Sequence, residues 1–167
     1  MKLYFMRHGE AAYTSGAAIK TDAQRPLTEA GRRDVAQVID KRITSLRDLD
    51  VLLTSPYLRA RQTAELALER LEHHSYGFSG ELLICDELVP ESDFGAVTKV
   101  LNQLNAGSVL LTTHQPLMGN ILSTLVGDRQ LQSIGTAWLV ALETDALLPG
   151  FAHLRWVQRP GDQVYEA

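Results

Sequence analysis

The chain has 167 residues, 45% of them apolar and 22% charged, with a formal net charge of -4. That size suits a single domain, residues 1–167, which buries about two thirds of the surface its unfolded form exposes without disulfides or a structural metal. Bilayer-length apolar runs are absent, the apolar stretch before Arg7 is too short for a signal-peptide core, and the acidic balance argues against a general nucleic-acid binder, so a cytoplasmic protein with no membrane role is expected.

Leu3-Tyr4-Phe5-Met6 is an apolar run bounded by a glycine and reads as a buried strand, delivering Arg7 and His8 at its carboxyl end. Ala11 to Arg25 is rich in small residues and reads as a surface loop beside that strand end. Thr28 is a candidate N-cap for a helix whose apolar positions are Val35, Val38, Ile39 and Ile43. Val51 to Thr54 predicts a second strand, followed by Ser55 as a capping residue and Pro56 at the first helical position. The helix beyond carries Arg59, Arg61, Gln62 and Thr63, then Leu66, Leu68 and Leu71. A polar connection from His73 to Gly80 leads to a third strand, Leu82 to Cys85, and an acidic stretch with Asp86, Glu87, Glu91 and Asp93. Phe94, Val97, Val100, Leu101 and Leu104 fit another helix, closed near Asn105 and Gly107. Val109 to Thr113 predicts a fourth strand ending on His114, with Pro116 opening an apolar helix to about Val126. Trp138 to Leu142 and Leu154 to Val157 read as closing strands joined across Pro149-Gly150, and Pro160 to Ala167 as a frayed tail.

This alternation predicts an α/β fold with a mostly parallel sheet. In such a sheet right-handed crossovers bring the carboxyl ends of the strands to one edge, where ligands bind. Arg7, His8, Arg59 and His114 would then converge, and two guanidinium groups with two imidazoles suit an anion. A phosphoryl group fits best, because guanidinium binds its oxygens bidentately and a neutral imidazole attacks phosphorus.

Three segments carry a more specific signal. Arg7-His8-Gly9-Glu10, then Ser55-Pro56-Tyr57-Leu58-Arg59-Ala60-Arg61-Gln62-Thr63-Ala64, then Thr113-His114-Gln115-Pro116 resemble, in order and spacing, the motifs of the histidine phosphatase superfamily, also called phosphoglycerate mutase-like. Within it the short chain, the early Arg25-Pro26-Leu27-Thr28, and Asp86-Glu87-Leu88 followed by Pro90 look most like the compact SixA-type phosphohistidine phosphatases. The resemblance implies a three-layer α/β/α sandwich in which His8 is the nucleophile that becomes phosphohistidine, with Arg7, Arg59 and His114 around the phosphate. It implies no cofactor and no metal, and a phosphorylated protein, a phosphohistidine phosphotransfer domain, as partner. Small phosphate esters are the alternative substrates within the family, and little chain is left for a lid over the site. For the proton donor the resemblance points to the region after the third strand, where Glu87 is best placed, with Glu91 and Asp22 behind it.

Blander readings apply to the remaining polar residues. Arg61, two positions from Arg59, points elsewhere on a helix and reads as solvated. His73, His74 and His153 read as surface residues, and Trp138 and Trp156 as packing. Cys85, in an apolar strand, reads as an inert buried thiol. A cysteine phosphatase would need arginine six positions after the cysteine, where Glu91 stands. No P-loop or dinucleotide fingerprint occurs. A zinc site built from His8, His114 and Glu87 is disfavoured by the flanking arginines, which repel a dication. A non-catalytic phosphoprotein-binding module is the alternative from outside enzymology.

Overall fold

The computed structural model describes residues 1–13, 19–74 and 77–163. Six strands form one sheet: β1 (Lys2–Arg7), β2 (Val51–Thr54), β3 (Glu81–Ile84), β4 (Ser108–Thr113), β5 (Leu139–Glu143) and β6 (His153–Gln158). Their spatial order is β3-β2-β4-β1-β5-β6. The first four strands are mutually parallel, whereas β5 runs antiparallel to β1 and β6 antiparallel to β5. The sheet is therefore mixed and mostly parallel, with the expected closing hairpin at one edge.

Helices cover both faces, as a strand buried on both sides requires. Leu3 and Phe5 of β1 pack on one core with Val97 and Leu101 of α3 (Phe94–Gln103) and with Ile121 and Leu125 of α4 (Leu117–Val126). Tyr4 and Met6, pointing the other way, pack with Val35 and Ile39 of α1 (Glu29–Arg42) and with Ala64 and Ala67 of α2 (Leu58–His73). Small residues at Ala60, Ala64 and Ala67 give α2 a flat face that lies close on the sheet.

The predicted cap at Thr28 is present, its hydroxyl accepting from Gly31 N–H at 3.0 Å. Asp93, one of the acidic stretch, likewise caps α3 by accepting from Ala96 N–H at 2.9 Å. Two expectations change. Pro56 does not open α2: the N-cap is Tyr57, and Ser55 lies two residues earlier, its hydroxyl engaged elsewhere as described below. The tail is anchored as far as Asp162, where Gly161 N–H donates to Gln37 and the Asp162 carbonyl accepts from Lys41 and Gln158; residues 164–167 lie outside the described residues. So do residues 14–18 of the first loop and 75–76 of the connection before β3. Among the described residues no helix is long and apolar enough to cross a membrane.

The chain leaves β1 toward the α1 face and leaves the adjacent β4 toward the α4 face. Where neighbouring strands send their connections to opposite faces, a crevice opens at their carboxyl ends. His8 follows β1 and His114 follows β4, so the crevice between these two strands lies between the two histidines.

Candidate active site

Backbone pairing fixes His8 from both sides. Its N–H donates to the Thr113 carbonyl at 3.0 Å, and Ala137 N–H donates to the carbonyls of Arg7 and His8, each at 3.1 Å. The imidazole Nδ1 lies 2.7 Å from the Gly9 carbonyl, which only accepts, so Nδ1 carries the hydrogen and Nε2 keeps its lone pair. Arg59 Nε–H donates to that lone pair at 3.2 Å. Burial, with the Arg59 and Arg7 charges adding and the Gly9 bond opposing, lowers the His8 pKa to about 4. His8 is neutral at pH 7.

Gly9 allows this turn to press on the start of α1. A Cβ at Gly9 would stand 2.8 Å from the Gly31 carbonyl oxygen, and one at Gly31 would stand 2.2 Å from that of Glu10. Both distances are closer than real Cβ contacts, so the two glycines make one close backbone approach.

Arg59 lies in the first turn of α2 and is 4% exposed. Besides His8 it contacts the loop turn Asp22–Gln24: Nη1 donates to the Asp22 carbonyl at 2.7 Å and Nη2 to the Asp22 carboxylate at 3.0 Å. One turn further on, Thr63 Oγ1 donates to the Arg59 carbonyl at 2.8 Å and accepts from Gly9 N–H at 3.2 Å. Gln62 Oε1 accepts from Leu27 N–H at 2.8 Å. Gln62 and Thr63 therefore lace α2 to the residues flanking His8 and the first loop.

His114 is 1% exposed, its ring 5.2 Å from that of His8 and 5.1 Å from that of Tyr57. Its Nε2 lies 2.7 Å from Ser55 Oγ, which also accepts from Tyr57 N–H at 3.3 Å. Ser55 Oγ keeps a second lone pair as well as its hydrogen, so it pairs with Nε2 in either tautomer of His114. The other ring nitrogen, Nδ1, is buried and has no hydrogen-bond partner among the described residues. Burial, reinforced by His8 and Arg59, lowers the His114 pKa to about 2, so it too is neutral at pH 7. Arg7 donates through Nη1 to the Ile134 carbonyl at 2.8 Å while its Nε is likewise unpartnered. Burial and then the Arg59 charge pull the Arg7 pKa down. Crowded cations and a buried guanidinium N–H without a partner are the reverse of a cation site, and an oxyanion relieves both.

Arg7, His8, Arg59 and His114 thus meet as the sequence predicts. The three acidic candidates differ in place. Asp22 contacts Arg59 directly; Glu91 accepts from the Tyr57 hydroxyl at 3.1 Å; Glu87, on the turn Asp86–Leu88, accepts from the Cys85 thiol at 3.3 Å. Burial, then the bond to Glu87, pushes the Cys85 pKa up to about 12, a thiol and not a thiolate. Arg61 faces Glu65 at 4.0 Å, half exposed, in keeping with a solvated role. Sequence reasoning missed the Ser55 contact to His114, hidden by the expectation of a helix cap. It also passed over Gln62 and Thr63, whose place in the motif was the available signal. Among the described residues no group of three or more His, Cys, Asp or Glu is placed to share a metal ion.

The sequence model of the histidine phosphatase superfamily (branch 1) matches residues 3–97, more than half of the chain. The chain belongs to this superfamily. SixA-type members are among its relatives. The phosphohistidine phosphatase SixA of Escherichia coli (strain K12) is 35% identical over 128 residues, 75% of this chain and 74% of that protein. An uncharacterised protein of Picosynechococcus is 38% identical over 124 residues, 71% of this chain and 69% of its own length. Among solved structures, a protein histidine phosphatase SixA complexed with tungstate superposes with a TM-score of 0.80 at 29% identity, covering 96% of this chain and 97% of that one. The superfamily match ends before His114, whereas this likeness of fold spans the whole site.

Proposed function

We propose that this chain is a metal-independent phosphatase that acts through a phosphohistidine on His8, with phosphohistidine on a phosphotransfer domain as its substrate. The observation that carries the reading is the state of His8: a neutral imidazole with Nδ1–H tied to Gly9 and the Nε2 lone pair directed at Arg59, beside Arg7 and His114. A nucleophile for phosphorus needs such a lone pair, and the charge that spreads over the phosphoryl oxygens needs fixed donors around it.

In the first step the Nε2 lone pair forms the N–P bond as the bond from phosphorus to the leaving nitrogen breaks, its electron pair staying with the leaving imidazole. A protonated leaving imidazole departs neutral, which lessens the need for a dedicated acid from the protein. Arg59 Nε–H shifts from the nucleophile to a phosphoryl oxygen; Arg7 Nε–H and His114 Nδ1–H gain the partners they lack. In the second step water attacks phosphorus, the His8 N–P bond returns its electron pair to Nε2, and the proton of water leaves with the phosphate or to solvent. Ser55 holds His114 through Nε2 throughout, with Nδ1–H as the donor to the phosphoryl group.

Support for the substrate class comes from the SixA relatives, named for protein histidine or phosphohistidine phosphatase activity, and from tungstate, an oxyanion of phosphate-like shape, in one of them. The deciding experiment compares kcat/KM for a phosphotransfer domain carrying phosphohistidine with values for sugar phosphates and phosphoglycerates. Preference for the protein substrate is expected; preference for a sugar phosphate by orders of magnitude would overturn the assignment.

A further inference from the structure

Asp22 does more than touch the site. Its carboxylate joins two guanidinium groups: Oδ2 accepts from Arg59 Nη2 and Oδ1 from Arg25 Nη1, both at 3.0 Å, while its carbonyl accepts from Arg59 Nη1 at 2.7 Å. Arg25 is held in turn by its Nε–H, which donates to the Ala12 carbonyl at 2.7 Å. The Asp22 side chain is 56% exposed and that of Arg59 only 5%, so the carboxylate lies at the boundary between the buried pocket and solvent. Bonding to the two arginines lowers the Asp22 pKa against the effect of burial, so it is an anion at pH 7.

We infer that Asp22 determines specificity: by occupying the outer guanidinium faces of Arg59 and Arg25, it excludes substrates that carry a second anionic group beside the phosphoryl group. The inference rests on the phosphatase reading of the same pocket. A phosphorylated hydroxy acid must find a cation for its carboxylate, and the arginine donors at this boundary are already bound to a carboxylate of the chain itself. Arriving there, the substrate carboxylate meets a like charge, a repulsion that discriminates by design against the wrong ligand. A phosphorylated imidazole has no such group, and the proton on its leaving nitrogen is favoured by the same Asp22 charge. The phosphoryl group itself keeps Arg59 Nε, Arg7 Nε and His114 Nδ1, none of which Asp22 uses.

Asp22→Asn keeps the shape and a hydrogen-bond acceptor while removing the charge. With the 167-residue chain, kcat/KM for 3-phosphoglycerate is expected to rise at least tenfold relative to that for p-nitrophenyl phosphate, mainly through KM, while phosphohistidine gains nothing. Binding of inorganic phosphate and 2-phosphoglycolate, measured by calorimetry, gives a readout independent of turnover. Wild-type protein is expected to bind 2-phosphoglycolate at least tenfold more weakly than inorganic phosphate, and Asp22→Asn to close or reverse that gap. A uniform change across all substrates, or no gain for the anions bearing a carboxylate, overturns the role of Asp22. Binding that follows the expected pattern in a protein that turns over no phosphate compound would overturn the phosphatase reading and leave the selectivity of Asp22 standing.

Discussion

Arg59 Nε stands 3.2 Å from His8 Nε2, so its N–H is donated to the lone pair of the imidazole. In the mechanism proposed above, substrate binding moves that hydrogen bond from nitrogen to phosphoryl oxygen and so releases the lone pair for attack.

Removing the nucleophile should therefore differ in kind from removing its neighbours. His8→Ala is expected to abolish turnover, whereas Arg59→Ala and His114→Ala each lower kcat by about a hundredfold to a thousandfold, the range seen when one transition-state donor is lost. Steady-state kinetics on the phosphohistidine substrate measures all three. Wild-type-like turnover by His8→Ala would falsify the assignment.

The intermediate has its own chemical signature. Rapid quench of the wild-type protein with labelled substrate should trap a phosphoenzyme that is labile in acid and stable in alkali, absent from His8→Ala. A burst with no protein-bound label, or label that survives acid, would contradict attack by an imidazole.

Protonation of His8 is linked to stability. Its pKa is depressed when folded, from about 6.5 to about 4, so the unfolded chain binds more protons between those values. Stability is thus fully present above pH 6.5 and falls as the pH drops toward 4, by roughly 3 kcal/mol for this one group. Urea denaturation of wild type and His8→Asn across that range should show a shallower acid loss in the variant. Nitrogen NMR should find His8 as the neutral Nδ1–H form at pH 6; titration near 6.5 would refute the burial argument.

Ser55→Ala tests the hydroxyl that orients His114. Loss of the hydroxyl leaves His114 Nε2 without its partner, so the balance of ring tautomers is expected to change and kcat to fall by about tenfold, with KM for phosphate esters changing less. The ring nitrogen shifts of His114 report the tautomer directly. An unchanged tautomer together with unchanged kcat would remove Ser55 from the mechanism.

Gly31→Ala places a methyl group 2.2 Å from the Glu10 carbonyl oxygen and 2.8 Å from the Glu10 nitrogen, a clash with backbone. A stability loss of about 1–3 kcal/mol or more is expected, read from denaturant midpoints. A variant as stable as wild type would show that the approach of α1 to the His8 turn is not tight.

Much of this was readable from the residues because strand ends and their polar successors are adjacent in sequence. Arg7-His8 and Thr113-His114 each close an apolar run, and Thr28 and its helix follow ordinary capping chemistry. What was not readable depends on contacts between distant segments. Ser55 before Pro56 looks like a cap in one dimension, and only the arrival of β4 beside β2 gives its hydroxyl the His114 ring instead. Asp22 is one acid among many in a loop of small residues until α2 brings Arg59 underneath it. Glu87 had the better position in the chain, yet its carboxylate meets the Cys85 thiol.

The pairing of Arg7 with Thr113 in adjacent parallel strands places the two histidines one residue beyond a shared rung of the ladder. Their separation is set by the spacing of hydrogen-bonded strands and not by any loop. Loops around the pocket are consequently free to lengthen, shorten or change charge, while the distance between the two imidazoles stays fixed by the sheet.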